Sequence, residues 1–192
     1  MPSGRTHDRI TVLSLPGLAL VGYIFTRRFD LILWFSGAYL FSGLMFGPDL
    51  DIHSLQYKRW GIIRWIWLPY RSCLKHRSFF SHGFFVGTLL RVAYLSIIVM
   101  ILAIFGVAIA QLFWGFPWNW QTFSYNTLTL VTTDYGLEAI AVWVGLELGA
   151  MSHSISDRLG TAIKSSQKKT KSRTPQRKKI TRRNESHREK RG

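Results

Sequence analysis

The sequence predicts an all-α protein, an integral membrane helical bundle with about four apolar helices and a disordered basic C-terminal tail. Hydrophobic residues make up 47% of the 192 residues, yet the formal net charge is +15. Of the 25 Lys and Arg residues, 14 lie between Arg158 and the C-terminus. We therefore expect a membrane-embedded domain over residues 1–158 and a polybasic tail over residues 159–192, too polar to bury a core of its own.

Four apolar segments support the helical bundle, at residues 10–25, 31–46, 92–113 and 137–151. The third has no charged residue, and at about 1.5 Å per residue it is long enough to cross a hydrocarbon core of about 30 Å. The other three are shorter, which leaves a short tilted span, a re-entrant helix and a buried helix as alternatives for each. The short linker at residues 26–30 predicts that the first two form an antiparallel hairpin.

Basic residues also predict how the chain is oriented in the membrane. The connection at residues 47–90 carries six Lys and Arg residues, whereas the connection at residues 115–136 carries none. Because basic loops remain in the cytoplasm, we expect the first connection, the N-terminus and the tail on the cytoplasmic side of a plasma or inner membrane. The predicted partners are the lipid bilayer and, through the tail, anionic lipid headgroups or RNA.

Histidine and acidic residues fall into four clusters beside the ends of the apolar segments. The chain has one cysteine, Cys73, which excludes an internal disulfide and any zinc site made of several thiolates. A metal site would therefore use nitrogen and oxygen ligands, which suit zinc first, with manganese or iron as alternatives. On the predicted topology all four clusters lie on the cytoplasmic face: His7-Asp8; Asp49, Asp51 and His53; His76 and His82; His153 and Asp157.

Local sequence suggests how two of these clusters are presented. His153 and Asp157 are four residues apart, so a helix would place both on one face. Gly47-Pro48 ends the preceding helix, and we expect a short extended stretch that directs Asp49 and Asp51 to the same side.

In the third cluster His76 and His82 are six residues apart and would point to different faces of one helix. We therefore expect His76 in the loop and His82 in the first turn of the long span, with Ser78 as the N-cap.

A single His or Asp at a membrane boundary is often only a solvated or capping residue. His53 is equally consistent with a bystander beside Tyr57, and Glu147 with a member of the site or a partner of an arginine.

The order of these clusters resembles that of the YdjM-like group of bacterial membrane proteins, described as metal-dependent hydrolases. That group has an N-terminal His, a Pro-Asp-x-Asp motif, a His-Arg-x3-(Ser/Thr)-His motif and a late Ser-His-x3-Asp motif. The corresponding residues here are His7, Pro48 to Asp51, His76 to His82, and Ser152 to Asp157. The chain is most similar to a sister family of metal-binding membrane proteins, frequent in cyanobacteria, that opens with the same run as Ser3 to Asp8.

The resemblance implies metal binding and a membrane-bound hydrolase, and the location at the membrane surface predicts a phosphoester or lipid-like substrate. The expected metal ligands are His7, Asp49, Asp51, His76, His82, His153 and Asp157. Asp8 or Asp51 is the expected general base, and Arg77 the expected residue for binding an anionic group. Ile52 stands where these hydrolases tend to have a His after the second Asp. The alternative is a non-catalytic membrane protein with a structural or sensory metal site.

Overall fold

The computed structural model describes residues 4–74, 76, 78–158, 160 and 162. Every regular element within these residues is helical, as the sequence predicted. The longer elements are α1 (Gly4–Thr26), α2 (Phe29–Leu44), α6 (Val86–Trp114), α7 (Trp120–Thr129) and α8 (136–158). Between α2 and α6 lie a 3-10 helix at Pro48–Asp51, α3 (Leu55–Arg59), a 3-10 helix at Gly61–Trp67, α4 (Leu68–Cys73) and α5 (Phe79–His82), and a π-helical turn, Leu130–Asp134, follows α7.

Three of the described stretches are long and apolar enough to cross a membrane: Gly4–Thr26, Phe29–Asp51 and Val86–Trp114. Their outward side chains are largely hydrophobic, with Leu13 and Phe25 about four-fifths exposed, as expected for surfaces in contact with lipid rather than water. The fourth apolar segment is helical, within α8, but is not among these three. The protein is therefore a helical membrane protein with three candidate spans.

The first two helices form the predicted hairpin. Arg27, with φ of 54°, turns the chain between them. The helices approach closely at both ends, because a Cβ on Gly22 would lie 2.9 Å from Ile32 and a Cβ on Gly43 would lie 2.4 Å from Thr11. At the turn Arg28 pairs with Asp30 and, at 2.7 Å, with Glu138 of α8. The guanidinium of Arg28 therefore has two carboxylate partners at the turn between α1 and α2.

Helix α8 packs against α2 through two glycines one turn apart, Gly145 and Gly149. A Cβ on Gly145 would lie 2.5 Å from the carbonyl oxygen of Phe35, and one on Gly149 would lie 2.5 Å from that of Tyr39. This Gly-x-x-x-Gly spacing lets two backbones approach in a membrane, where small residues permit close helix packing. The contact holds the part of α8 that precedes His153 against the part of α2 that leads to Asp49.

Gly149→Ala is expected to lower the free energy of unfolding by about 1–3 kcal/mol, because the new methyl group would force the two backbones apart. Gly106→Ala in α6 is the matched control, since a Cβ there meets nothing within 4 Å. The control should be neutral or slightly stabilising, because alanine favours helix more than glycine. Thermal unfolding of both variants in detergent tests this, and an unchanged midpoint for Gly149→Ala would contradict the packing.

The segment between α2 and α6 folds around an aromatic cluster rather than lying as an open loop. Trp67 is completely buried, and its ring contacts those of Phe46, Trp60, Tyr70 and Tyr94 at centroid distances of 5.1–5.7 Å. Burial raises the pKa of the Tyr70 hydroxyl. The cluster fixes the chain at Phe46, shortly before Asp49, and at Tyr70 and Tyr94, on either side of His82 in the sequence.

Two expectations about local structure are corrected. Asp49 and Asp51 lie on a 3-10 helix, not an extended stretch, because Pro48 has no backbone N–H and is accommodated in the first turn of a helix. His82 lies in the separate short helix α5, capped by Ser78 as expected, and not in the first turn of the long span.

Residues 3–154 form one compact unit, and a second unit begins at Ile155. The described residues of the second unit are helical, and Asp157 within it is 7% exposed. Of the predicted tail only residues 160 and 162 are described, and both are helical. The rest of the tail, with its predicted disorder, lies outside the described residues.

Candidate metal centre

The centre is built from chain segments that enter or leave the apolar helices at one end of the larger unit. His7 lies in the first turn of α1, and Asp49 follows the end of α2. His82 ends α5 just before α6, and His153 lies in α8. Helices α1 and α6 begin near these residues, whereas α2 and α8 reach them toward their C-terminal ends. Residues far apart in sequence therefore meet.

Asp49 lies between two imidazoles that come from different segments. Its Oδ2 is 3.1 Å from Nε2 of His153, and its Oδ1 is 3.6 Å from Nε2 of His82. The ring of His7 stacks on that of His153 with a centroid distance of 4.0 Å. Asp49, His76 and His82 each offer a ligand atom, and these atoms lie within 4.8 Å of one another. A cation next to His82 and a cation next to His153 would each be within reach of the Asp49 carboxylate.

Asp51 supports the histidines instead of lying between them. Its side chain is fully buried, and its Oδ1 lies 2.9 Å from Nδ1 of His76. Its Oδ2 accepts a hydrogen bond from the Ser81 hydroxyl. A carboxylate bonded to one ring nitrogen of a histidine orients the other nitrogen toward a metal. Asp51 therefore fixes the ring of His76 and, through Ser81, the position of the adjacent His82.

The hydroxyl group of Ser81 links Asp51 to His82. It donates to Asp51, and its oxygen lies 3.0 Å from Nδ1 of His82, from which it accepts in the tautomer that has a proton on Nδ1. A neutral imidazole with a proton on Nδ1 has a lone pair on Nε2. That lone pair faces Oδ1 of Asp49, another acceptor, and neither atom has a hydrogen-bond partner among the described residues.

Two buried acceptors that face each other at 3.6 Å would repel unless a positive charge lies close to both. A divalent cation satisfies this condition, and imidazole nitrogen with carboxylate oxygen is the donor set expected for zinc, manganese or iron. The residues present therefore fit a metal ion. A proton on Nε2 of His82 is the other way to satisfy the pair.

Residues 2–167 match the sequence model of a family described as "Uncharacterized metal-binding protein (DUF2227)". The chain belongs to this family. No curated protein and no solved structure matches it. The match covers all of the residues that form the centre, so the family description and the geometry of these side chains agree on metal binding.

The other predicted site residues of this DUF2227 protein lie outside the contacts of Asp49 described above. Asp8 receives two hydrogen bonds from Arg59, at 2.9 and 2.6 Å. His53 makes an edge contact with Tyr57 at 5.2 Å, the bystander position that was one of its alternatives. Arg77 lies outside the described residues. Asp157 belongs to the second unit, and its part in metal binding stays a prediction.

Sequence reasoning missed two polar residues that hold the centre in place. Gln56 is buried, donates to the carbonyl oxygen of Gly43 at 2.9 Å and lies 3.5 Å from Nδ1 of His153. Arg91 is only 1% exposed and donates to the carbonyl oxygen of Ser81 at 3.1 Å and to Thr88 at 3.0 Å. Arg91 stands at the start of an uncharged run of more than 20 residues, where a basic residue usually marks the water boundary. Its burial depends on packing that local sequence does not reveal.

Glu147 is a neighbour of the centre, and its role had been left open between ligand and arginine partner. Its Oε1 accepts from the backbone N–H of Phe85 at 2.7 Å. Glu147 also lines, with His82 and Arg91, a cavity of about 10 Å³, room for about one water molecule. Glu147 thus stabilises the chain break between α5 and α6, which presents His82.

Proposed function

We propose that this protein is a membrane-bound, metal-dependent hydrolase whose centre lies at the cytoplasmic membrane face. The observation that carries the proposal is the position of Asp49 between the imidazoles of His82 and His153, with two buried acceptor atoms facing each other. The resemblance of the motifs to those of the YdjM-like hydrolases supports the type of reaction. The basic connection between α2 and α6 supports the cytoplasmic side.

The ion, zinc first and manganese or iron as alternatives, would be held by residues from His7, Asp49, His76, His82 and His153, with Asp51 orienting the ring of His76. A divalent cation in such a site supplies Lewis acidity, which activates water at neutral pH and polarises a phosphoryl or acyl oxygen. Asp49 would be a ligand common to the histidines on its two sides, since it lies 3.1 Å from His153 and 3.6 Å from His82.

The protein's own residues would then position the substrate and move a proton. Asp8 or Asp51 would accept the proton of the attacking water. Arg77 would bind an anionic group of the substrate through two hydrogen bonds. Gln56 and Arg91 would keep the ligand-bearing segments rigid, because both are buried and bonded to backbone carbonyl groups. A phosphoester or lipid-like ester is the proposed substrate, since the centre adjoins candidate membrane spans.

The direct test is turnover of a generic phosphodiester and a generic carboxylic ester by the purified full-length chain with Zn²⁺, Mn²⁺ or Fe²⁺. We expect metal-dependent hydrolysis that His82→Ala and His153→Ala both abolish. His53→Ala is the matched control, because this exposed imidazole lies against Tyr57 and should leave the rate unchanged. Equal rates for wild type and both site variants would show that the turnover does not come from this centre.

A structural or sensory metal site is the second candidate. It is favoured by the burial of His7 and His153, which are 5% and 3% exposed, and by the number of separate chain segments that meet at the centre. In that case no substrate is turned over, while metal binding still stabilises the fold. Metal-dependent stability without turnover, across both substrate classes, would favour this candidate over the hydrolase.

A further inference from the structure

The 3-10 helix Gly61–Trp67 and the first residue of α4 expose an unusual set of side chains. Ile62 is 92% exposed, Trp65 62% and Leu68 50%. Ile63 is also exposed, and Arg64 lies between them in the sequence. A segment in water would not present several large apolar residues together without a partner. The combination of Ile, Leu and Trp with a basic residue is typical of segments that lie in a membrane interface.

The opposite side of this segment is fixed to a candidate membrane span. Trp67 is completely buried and lies 5.5 Å from the ring of Tyr94. The hydroxyl group of Tyr94 donates to the carbonyl oxygen of Ile66. Val92, Leu95 and Ile98 of the same span pack against the cluster that contains Ile66 and Trp67. The segment therefore cannot move away from α6 without losing this aromatic packing.

The length of α6 determines the depth of the contact. Its 29 residues extend about 43 Å at 1.5 Å per residue, longer than a hydrocarbon core of about 30 Å. Tyr94 comes eight residues after Val86, or about 12 Å along the helix. If the excess length lies mainly at the N-terminal end of α6, Tyr94 is close to the boundary between headgroups and acyl chains. The residues packed against it reach the same depth.

We infer that residues 61–68 form an interfacial segment that inserts Ile62, Ile63, Trp65 and Leu68 into the bilayer leaflet next to the metal centre. The segment is packed against α6 and exposes apolar side chains next to the apolar surface of that helix. The molecules that cover these side chains are therefore lipids. Arg64 would extend its guanidinium to the headgroups, which favours anionic lipid. The inference depends on the membrane span and not on hydrolysis. It places the centre at the level of the headgroups.

Depth measurements on the full-length protein in lipid nanodiscs of phosphatidylcholine and phosphatidylglycerol test this. Spin labels are attached to Ile62→Cys and Trp65→Cys in a Cys73→Ser background, since Cys73 is the only native cysteine. Leu13→Cys, 78% exposed on a candidate span, is the lipid-facing control. Lys58→Cys, exposed on α3, is the control for water.

We expect labels at 62 and 65 to be several-fold more accessible to oxygen than to a water-soluble nickel chelate, as at position 13, with the reverse at position 58. Labels at 62 and 65 that collide with the nickel chelate as often as at 58 would overturn the inference. Immobile labels protected from both reagents would also overturn it, because a protein partner would then cover the segment. Because no turnover is measured, an inactive centre leaves this test unaffected.

Discussion

Asp49→Asn is expected to remove most of the bound metal while leaving the fold intact. Asparagine has nearly the same shape as aspartate but no negative charge, so it cannot compensate a cation between the two imidazoles. Loss of an outer partner of a metal ligand already costs about 10- to 100-fold in affinity. Removal of a carboxylate that lies 3.1 Å from His153 and 3.6 Å from His82 should cost at least as much.

Elemental analysis of the detergent-purified protein measures metal per chain, and titration calorimetry with Zn²⁺ measures the affinity. Asp30→Asn is the matched control, since it makes the same chemical change at the turn between α1 and α2, where Asp30 pairs with Arg28. The control should bind metal as wild type does. Wild-type metal content and affinity in Asp49→Asn would show that this carboxylate is not a ligand, and that the centre must be assigned to other residues.

The sequence was sufficient to predict the helical hairpin and the long span. Charge-free segments and a short basic linker are local features, so hydropathy and turn length identify them. The sequence analysis underestimated the length of the first helix. It predicted an apolar segment from residue 10, whereas α1 begins at Gly4 and includes the polar residues Arg5, His7 and Asp8. Hydropathy treats these residues as the end of a span. In the folded chain His7 faces the ring of His153, so the helix continues through the polar residues.

The meeting of His7, Asp49, His82 and His153 followed from reading the segments as antiparallel and therefore ending on one side. The break before α6 could not be predicted in this way. Phe85 has a positive φ of 63°, a conformation that is unfavourable for an aromatic residue. Its N–H is held by Glu147, 62 residues later in the chain. Since the partner is distant in sequence, no local pattern distinguishes this break from continuous helix.

The buried supports of the centre were not predictable for a related reason. Gln56 and Arg91 are residue types that usually remain solvated, and their positions near segment ends fit that expectation. Both are buried because each bonds a backbone carbonyl group that would otherwise lack a partner: Gly43 for Gln56 and Ser81 for Arg91. Which carbonyl groups need a side-chain donor depends on where helices end in three dimensions. The residue types at the centre are therefore more predictable than the residues that support them.

Removal of metal is expected to lower the thermal stability of the wild-type protein, because an ion that binds only the folded state stabilises it by mass action. At a free metal concentration 1,000 times the dissociation constant the stabilisation is about 4 kcal/mol. For a chain of this length that corresponds to a shift of about 8–16 °C in the unfolding midpoint. Thermal unfolding with saturating Zn²⁺ and after chelation measures the shift directly.

His153→Ala should abolish the difference between the two conditions, since it removes a ring that is 3% exposed and contacts both Asp49 and His7. His53→Ala should keep the full difference, because His53 is exposed and its ring contacts the edge of Tyr57. The variants differ in position but not in chemistry, so general effects of losing an imidazole cancel. Identical midpoints for the wild-type protein with and without metal would mean that His7, Asp49, His82 and His153 converge without an ion that stabilises the fold.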